Sequence, residues 1–270
     1  MHPFLNHILV RGSGFSSPCP CFACVSVGVI PSAGYLPEHT TDVILCFDGC
    51  CYDTIRNIIF PVSLILFDYD GALADTLADM LSFAQAACDE LGVQHTVSET
   101  DLSELEVMSF ATLGRACGTP EEQVDEFVRR CTEKFAASKS PPAIFEGLAK
   151  VVRQLAASHV LVVVTGNTEG NVRAFLKAHQ LDGCFRAVYG LDTRGSKSEK
   201  IKMVKRQSAA DDGMAYMVGD SLSDVRAAQE ADVISIAVSW GHQSEERLIG
   251  AMPDHIVRFP EELMEIIDRA

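Results

Sequence analysis

One stretch decides the fold of this chain: residues 64–71, with the sequence LILFDYDG. Four apolar residues stop at two carboxylates, Asp68 and Asp70, and a glycine follows. An apolar run that ends at a turn signal is typical of a strand buried in a parallel sheet. The two acids then lie just beyond the carboxyl end of the strand, where open α/β sheets bind ligands. Neighbouring carboxylates repel each other, which costs stability unless a cation or a reacting phosphate offsets their charge. The pair therefore indicates a catalytic or ligand-binding site.

Composition restricts the classes of partner. The 270 residues are 47% hydrophobic and 22% charged, which is ordinary for a globular protein with a substantial core. The formal net charge of −15 argues against nucleic acid, because binding to its phosphates requires a basic face. No apolar run approaches the ~20 residues of a membrane span. We therefore expect a soluble protein that binds neither nucleic acid nor a membrane, although local cations and helix N-termini are compatible with a small anionic ligand.

Residues 1–60 differ from the rest of the chain. They hold six of the ten cysteines, two basic and four acidic residues, and clusters of Ser, Pro and Gly without periodicity. A Cys-x-Cys-x-x-Cys motif at 19–24 resembles part of a zinc site but has no second pair of ligands. We predict that this Cys-rich segment is a poorly ordered or artefactual extension. The other four cysteines are typical of reduced thiols in a cytoplasmic protein.

From residue 62 onward, apolar runs alternate with helical patterns. This alternation predicts an α/β fold: a doubly wound parallel sheet, or Rossmann-like core, with right-handed crossovers. The predicted strands span residues 64–67, 160–164, 187–189, 214–218, 233–238 and 255–257. The predicted helices lie near residues 146–157, 169–179, 197–208, 222–231, 244–250 and 260–268.

One connection is far longer than a crossover needs. Roughly 80 residues separate the first strand from the helix that leads to the second, and their pattern predicts helices at 77–91, 99–116 and 121–137. Since this insertion directly follows Asp68 and Asp70, we expect it to cover the site as a lid that excludes water and selects substrates. The predicted organisation is a core domain at 61–76 and 143–270 and a small α-helical cap domain at 77–142.

A second buried strand ends in the polar residues Thr165, Gly166 and Asn167. The hydroxyl of Thr165 and the backbone N–H groups that follow it are suited to binding a phosphate oxygen. A threonine in this position is also a common helix N-cap, so the motif alone is not specific.

Lysines and further acids accompany two later elements. Lys197 and Lys200 stand at the start of an amphipathic helix, where the helix dipole does not favour cations, so one of them is suited to balancing a carboxylate cluster. Asp220 ends another apolar strand, and Asp224 lies one helical turn further along on the same face. A cluster of carboxylate oxygens suits Mg²⁺, which retains most of its waters and needs few protein ligands.

Four motifs, taken in their order along the chain, resemble those of the haloacid dehalogenase-like hydrolase superfamily. The resemblance covers about residues 62–268 and extends to features typical of the phosphoglycolate phosphatase-type subgroup with a helical cap. Family members usually carry Thr or Val where this chain has Ala72. The four motifs are Asp68-Tyr69-Asp70-Gly71, Thr165, Lys197 and Gly219-Asp220-x-x-x-Asp224, and the subgroup features are Val238-Ser-Trp240-Gly241 and Pro253-Asp-His-Ile.

The resemblance implies a role for each residue. Asp68 would be the nucleophile that attacks phosphorus and gives an aspartyl-phosphate, and Asp70 would be the general acid and then the base that activates water. The phosphoryl oxygens would be held by Thr165 and Lys197, and Gly166 and Asn167, which follow Thr165, would also bind the phosphate. Lys197 matches the family spacing better than Lys200. The ligands of Mg²⁺ would be Asp68, the backbone carbonyl of Asp70, and Asp220, with support from Asp224.

The leading hypothesis is a Mg²⁺-dependent phosphatase, a phosphoric monoester hydrolase that acts on a small phosphorylated metabolite. A phosphomutase and a phosphonate-cleaving relative of the same fold are alternatives, and the latter needs a cap lysine, for which only Lys134 and Lys139 are available. A third alternative is a non-catalytic regulatory protein that binds phosphate or Mg²⁺ without turnover. Arg115 is a candidate for an anion contact and His242 for a residue at the rim of the site, although a solvated residue and a structural residue are the more usual interpretations.

Overall fold

A computed structural model describes residues 46–47, 50–51, 62–138, 140–208 and 214–268. The predictions for most of residues 1–60, including the cysteine motif at 19–24, lie outside the described residues, as does Lys139. In the first sixty residues the structure describes two short strands, β1 (Cys46–Phe47) and β2 (Cys50–Cys51). They pair antiparallel, with Phe47 opposite Cys50.

The later elements begin with two strands and a run of helices, and from β5 onward strand and helix alternate. The first of them are β3 (Leu64–Phe67), β4 (Ala74–Asp75), α1 (Leu77–Leu91), α2 (Glu99–Ser103), α3 (Phe110–Ala116), a 3-10 helix (Glu121–Gln123), α4 (Val124–Ala137) and β5 (Ala143–Ile144). The others are α5 (Leu148–Ala156), β6 (Val160–Val164), α6 (Glu169–Ala178), β7 (Phe185–Tyr189), α7 (Lys197–Gln207), β8 (Ala215–Gly219), α8 (Leu222–Ala231), β9 (Ile234–Val238), α9 (Glu245–Gly250), β10 (His255–Val257) and α10 (Glu262–Ile267). None of the helices that the structure describes is long and apolar enough to cross a membrane.

Six strands form one parallel sheet in the order β10-β9-β8-β3-β6-β7. Strand β3 lies inside the sheet, with β8 on one side and β6 on the other. From β3 the chain continues to β6 and β7 on one side of this strand, and it then crosses to β8, β9 and β10 on the other side. The carboxyl end of β3 is therefore a topological switch point, where open α/β sheets form a crevice for ligands.

Helices cover both faces of this sheet. Ile65 and Phe67 of β3 belong to a cluster with side chains of α5, α6 and α10, whereas Leu64 and Leu66 belong to a cluster with α7 and α8. All four side chains are at most 1% exposed. Burying each of them contributes roughly 1.5–3 kcal/mol, which explains why an uninterrupted apolar run forms this strand. The predicted doubly wound α/β fold is confirmed.

Helices α1 to α4 form a hydrophobic cluster of their own, which includes Met80, Leu113 and Phe127. Gly114 lets α3 approach α4 closely, because a Cβ on this residue would lie 2.8 Å from the Phe127 ring. Strands β4 and β5 flank the insertion in sequence and pair antiparallel with each other. The chain therefore enters and leaves the insertion side by side, through the pair of short strands β4 and β5, which form one narrow joint.

One predicted helix is wrong. The pattern predicts a single helix at 99–116, but the structure has α2 and α3, separated by residues 104–109. Ser109 caps α3, where its hydroxyl accepts a hydrogen bond from the Thr112 amide at 3.2 Å. The intervening loop is held from outside the insertion, since Gln243 Nε2 donates to the Leu105 carbonyl at 2.6 Å. A serine cap and a tertiary hydrogen bond outweigh the helical periodicity at this point.

Candidate functional site

The turn after β3 presents Asp68 and Asp70 at the carboxyl edge of the sheet. The Asp68 amide donates to a carbonyl of β8 at 2.8 Å, so the ladder of the sheet continues through this residue. The Tyr69 carbonyl then accepts a hydrogen bond from the Ala74 amide at 2.9 Å, which closes the turn. Gly71 stands inside the turn with a φ of +77°, a conformation that other residues adopt only with strain.

Thr165, Gly166 and Asn167 follow β6, the strand next to β3. Asn167 Nδ2 donates to both carboxylate oxygens of Asp70, at 3.3 and 3.1 Å. The Thr165 hydroxyl accepts from the Asn167 amide at 3.0 Å. The N-cap of α6 is Thr168, not Thr165. Thr165 is therefore not used to start the helix, and all three residues line the cavity described below.

Lys197 joins two of the carboxylates. It is the first residue of α7, and its Nζ lies 2.9 Å from Asp68 Oδ1 and 2.5 Å from Asp224 Oδ1. Lys200, nearly one turn later, instead donates to the carbonyl of Gly190 at 2.7 Å. The structure thus brings Lys197 into the acid cluster and gives Lys200 a backbone partner.

Asp220 and Asp224 reach the cluster from the junction of β8 and α8. Asp220 comes directly after β8, and Ser221 is the N-cap of α8. Asp224 is the third residue of that helix, and its Oδ2 accepts from the Ser221 hydroxyl at 2.6 Å. The prediction that both acids lie on one helical face is therefore wrong, because Asp220 precedes the helix. A capping box draws Asp224 back over the helix start instead.

Three glycines make room for these two acids. A Cβ on Gly71 would lie 1.9 Å from Asp220 Oδ2, and a Cβ on Gly241 would lie 2.3 Å from Asp220 Cβ. A Cβ on Gly219 would lie 2.4 Å from the side chain of Asp224. Any larger residue at these positions must displace a carboxylate. Gly71 and Gly219 are each next to an aspartate in the sequence, and this adjacency is what could identify them as site residues.

Burial makes negative charge unfavourable in this cluster. It raises the pKa of Asp68, although the charge of Lys197 opposes the effect. It also raises the pKa of Asp70 and of Asp220, and the charge of Asp224 adds to the shift at Asp220. Burial alone would lower the pKa of Lys197, but the charges of Asp224 and Asp68 outweigh it and raise that pKa. Among the described residues, one lysine therefore faces four carboxyl groups.

Three of these acids fit a divalent metal ion. Asp68, Asp220 and Asp224 each offer a carboxylate oxygen, and the three oxygens lie within 4.8 Å of one another. All three residues are buried. Carboxylate oxygens are hard ligands that suit cations such as Mg²⁺ rather than soft metals. A divalent cation would also offset the excess negative charge that one lysine leaves.

The site opens into a cavity of about 420 Å³. Its floor includes Asp68, Asp70, Thr165 and Lys197, at the ends of the strands and the start of α7. Its roof comes from the helical insertion: α1, residues 107–109, α3 and α4. A cavity of this volume is large enough to bind a small organic molecule. Which insertion residues form the roof could not be read from sequence, because the roof spans a loop and three helices.

His242, a candidate rim residue from its place after Trp240 and Gly241, lines the cavity. Its backbone amide donates to Asp220 Oδ2 at 2.7 Å. Burial lowers the pKa of its ring to about 4, so the ring is neutral at pH 7. Its place in the sequence does not indicate the contact with Asp220, which only the fold creates.

Ala72 occupies a packed position beside the catalytic-looking turn. Its side chain is fully buried, and its carbonyl accepts a hydrogen bond from the Trp240 indole N–H at 3.2 Å. The Trp240 ring in turn lies 6.4 Å from the ring of Phe145, measured between centroids. The residue that departs from the usual family pattern is therefore well supported by its surroundings.

Sequence relatives were found among hydrolases and phosphatases. Residues 65–238 match the sequence profile described as haloacid dehalogenase-like hydrolase. A phosphoglycolate phosphatase of Synechococcus elongatus is 27% identical over 204 residues, which are 75% of this chain and 96% of the relative. A 5′-nucleotidase of Pseudomonas aeruginosa is 27% identical over 211 residues, 74% of this chain and 93% of the relative.

Solved structures share the fold. A haloacid dehalogenase-like hydrolase from Streptococcus pneumoniae superposes with a TM-score of 0.67 at 21% identity, over 76% of this chain and 98% of that one. A protein from Clostridium acetobutylicum described as a predicted phosphatase also gives 0.67, at 24% identity, over 77% and 99%. Because the sequence profile covers well over half of its residues, this chain belongs to the haloacid dehalogenase-like hydrolase family.

Proposed function

We propose that this protein is a Mg²⁺-dependent phosphatase that hydrolyses a small phosphomonoester through an aspartyl-phosphate. The observation that carries the proposal is the buried acid cluster. In it, Asp68 Oδ1 lies 2.9 Å from Lys197 Nζ, and Asp68 shares a potential metal site with Asp220 and Asp224. A carboxylate nucleophile beside a cation and hard metal ligands suits phosphoryl transfer. A relative named as a phosphatase and one named as a 5′-nucleotidase support the same conclusion.

In the first step, an oxygen of the Asp68 carboxylate forms a bond to phosphorus as the bond from phosphorus to the ester oxygen breaks. Asp70 donates its proton to the departing oxygen, which leaves as an alcohol. Burial raises the pKa of Asp70 and so favours the protonated form that this step needs. The groups that would hold the phosphoryl oxygens are Thr165, Gly166, Asn167 and Lys197.

In the second step, a water molecule attacks phosphorus. Asp70 takes a proton from the water as the new bond forms, and the bond from phosphorus to the Asp68 oxygen breaks. The products are inorganic phosphate and a free Asp68 carboxylate, and Asp70 has regained its proton. When bound by Asp68, the Asp70 carbonyl, Asp220 and Asp224, Mg²⁺ would neutralise charge on the phosphoryl oxygens.

The proposal assigns the helical insertion, residues 77–142, to a cap domain over a core made of 61–76 and 143–270. The roof of the cavity and the narrow joint at β4 and β5 support this division. A cap protects the aspartyl-phosphate from uncontrolled water and selects the substrate. Free thiols at Cys88, Cys117, Cys131 and Cys184 support a cytoplasmic location.

The phosphonate-cleaving alternative gains no support from the cap lysine that the structure describes. Lys134 Nζ pairs with Glu90 at 2.5 Å, and Lys134 is not one of the described residues that line the cavity. That chemistry needs a lysine amine directed at the substrate carbonyl.

The test is release of inorganic phosphate from a panel of phosphomonoesters, with Mg²⁺ and with a chelator. We expect release only with Mg²⁺, and a loss of at least about 10³-fold in Asp68→Asn. Asp182→Asn, a change at an exposed residue, is the matched control and keeps full activity. Unchanged hydrolysis by Asp68→Asn overturns the assignment. Binding of Mg²⁺ and phosphate without turnover by the wild type favours the regulatory alternative instead.

A further inference from the structure

The roof of the cavity above Asp68 is apolar. The helical insertion contributes a set of aliphatic and aromatic side chains to it: Met80, Val107, Met108, Phe110, Val128 and Phe135. The floor, by contrast, is made mostly of acids, lysines and hydroxyl or amide side chains, and its other lining residues are Leu191, His242 and two glycines. A substrate that places its phosphoryl group on the floor must therefore place its organic group against the roof.

The hydroxyl groups on the roof are already bonded. Thr132 Oγ1 donates to the Val128 carbonyl at 2.8 Å. Ser109 Oγ lies 2.8 Å from the hydroxyl of Thr112 and also accepts from the Thr112 amide. A polar substituent on the substrate would have to compete with these bonds, so the roof behaves as an apolar surface.

The arginines and the lysine in the described residues 77–138 are engaged elsewhere. Each basic side chain in the described residues 77–138 pairs with a glutamate at 2.5–2.8 Å, and none of them lines the cavity. The four pairs are Arg115 with Glu121, Arg129 with Glu126, and Arg130 and Lys134 with Glu90. The described part of the insertion thus offers no positive charge to an anion on the substrate.

The net negative charge of the insertion also repels a second anionic group on the substrate. Residues 77–142 contain twelve acidic side chains and five lysines or arginines. The lysines on the floor are also committed, because Lys197 pairs with two carboxylates and Lys200 donates to a backbone carbonyl. A carboxylate held against the apolar roof would lose its hydration and find no partner, which is strongly unfavourable.

We infer that the substrate carries a neutral, mainly apolar organic group, as in an alkyl or aryl phosphomonoester, and that esters with a second anionic group are poor substrates. The inference rests on the proposed phosphatase function. It concerns the roof of the cavity, whereas the chemistry of phosphoryl transfer concerns the floor. The two can therefore fail separately.

Two esters that differ by one carboxylate test the inference: benzyl phosphate and 4-carboxybenzyl phosphate, whose leaving alcohols are closely similar. We expect kcat/KM to be at least about 100-fold higher for benzyl phosphate. An equal or higher value for the carboxylate overturns the inference, as does hydrolysis of phosphoglycolate together with no hydrolysis of neutral esters. If no phosphomonoester releases phosphate, the proposed function itself fails.

A charge added to the roof supplies the second arm. Val107 lines the cavity but is 52% exposed, so Val107→Arg brings a cation to the roof without burying it. We expect this variant to reduce the preference for benzyl phosphate by about tenfold. Met252→Arg adds the same charge at a residue that is 79% exposed and does not line the cavity, and it should leave the ratio unchanged. A wild-type ratio in Val107→Arg contradicts the inference.

Discussion

Asn167 Nδ2 donates hydrogen bonds to both carboxylate oxygens of Asp70, at 3.3 and 3.1 Å. The two residues follow neighbouring strands, so only the folded sheet brings them together. Asn167 is held in turn, because its Oδ1 accepts from the Thr168 amide at 2.8 Å and from Asn171 Nδ2 at 2.9 Å. The orientation of the proposed acid–base group therefore depends on the first turn of α6.

Asn167→Ala should lower kcat for phosphate release by about 10- to 100-fold, because Asp70 loses the amide that positions its carboxyl group. The measurement is steady-state kinetics with a saturating phosphomonoester. Gln229→Ala is the matched control, since Gln229 also donates from its amide, to the carbonyls of Ala251 and Met252. A kcat for Asn167→Ala within twofold of wild type would show that Asp70 does not depend on this contact.

Gly71→Ala should weaken activation by Mg²⁺ by at least about tenfold, because the new Cβ would collide with Asp220 Oδ2. Gly92→Ala is a close control. Both glycines have a left-handed φ, +77° and +74°, so alanine introduces similar backbone strain of about 1 kcal/mol at either position. A Cβ on Gly92 meets no atom within 4 Å. The readout is the Mg²⁺ concentration at half-maximal activity, and equal values in the two variants would contradict the role of Asp220 as a ligand.

Local sequence patterns were sufficient for the sheet but not for the insertion. Strands β3 and β6 begin and end where predicted, because both are buried apolar runs bounded by turn residues. The helix predicted at 99–116 is divided, since contacts from Gln243 and the cap at Ser109 depend on the tertiary structure. Strands β4 and β5 were not predicted, because two residues each are too few to give a strand pattern in the sequence.

The candidate site divides in the same way. Residues that follow strand ends were identifiable because the carboxyl ends of parallel strands meet at one edge of a sheet. Asp68, Thr165 and Asp220 belong to this group. The contact of His242 with Asp220 and the roof residues around Val107 were not identifiable, because loops carry them to the cavity and no periodicity encodes the path of a loop.

Arg247→Ala should raise KM about fivefold with little change in kcat. Arg247 holds the loop at 104–109 against the core, since it donates to the Glu104 carboxylate at 2.8 Å and to the Glu104 carbonyl at 2.6 Å. One exposed ion pair and one hydrogen bond together contribute about 1 kcal/mol to keeping the roof closed. Arg258→Ala removes the surface ion pair with Glu245 and should leave KM unchanged. Equal effects of the two variants on KM would exclude a role for the loop.

Cys88, Cys117 and Cys131 are buried together in the helical insertion, each at most 3% exposed. Burial raises the pKa of all three thiols, and it raises the pKa of Cys117 and Cys131 to about 12 from the ordinary value of 9.0. The folded protein therefore holds these protons more tightly than the unfolded chain does.

The free energy of unfolding should consequently fall as the pH rises above about 9. A thiol whose pKa is higher in the folded protein stabilises the fold fully at a pH below its pKa in the unfolded chain, and this stabilisation is lost as the pH rises toward its pKa in the folded protein. The thiols of Cys117 and Cys131 each contribute about 1.4 kcal/mol per pH unit in that interval. Urea unfolding at about pH 8 and about pH 10 measures the loss. The double variant Cys117→Ala, Cys131→Ala separates these thiols from the lysines and tyrosines that titrate in the same range. We expect a shallower pH dependence in the double variant, and an unchanged slope would mean that the buried thiols do not contribute to it.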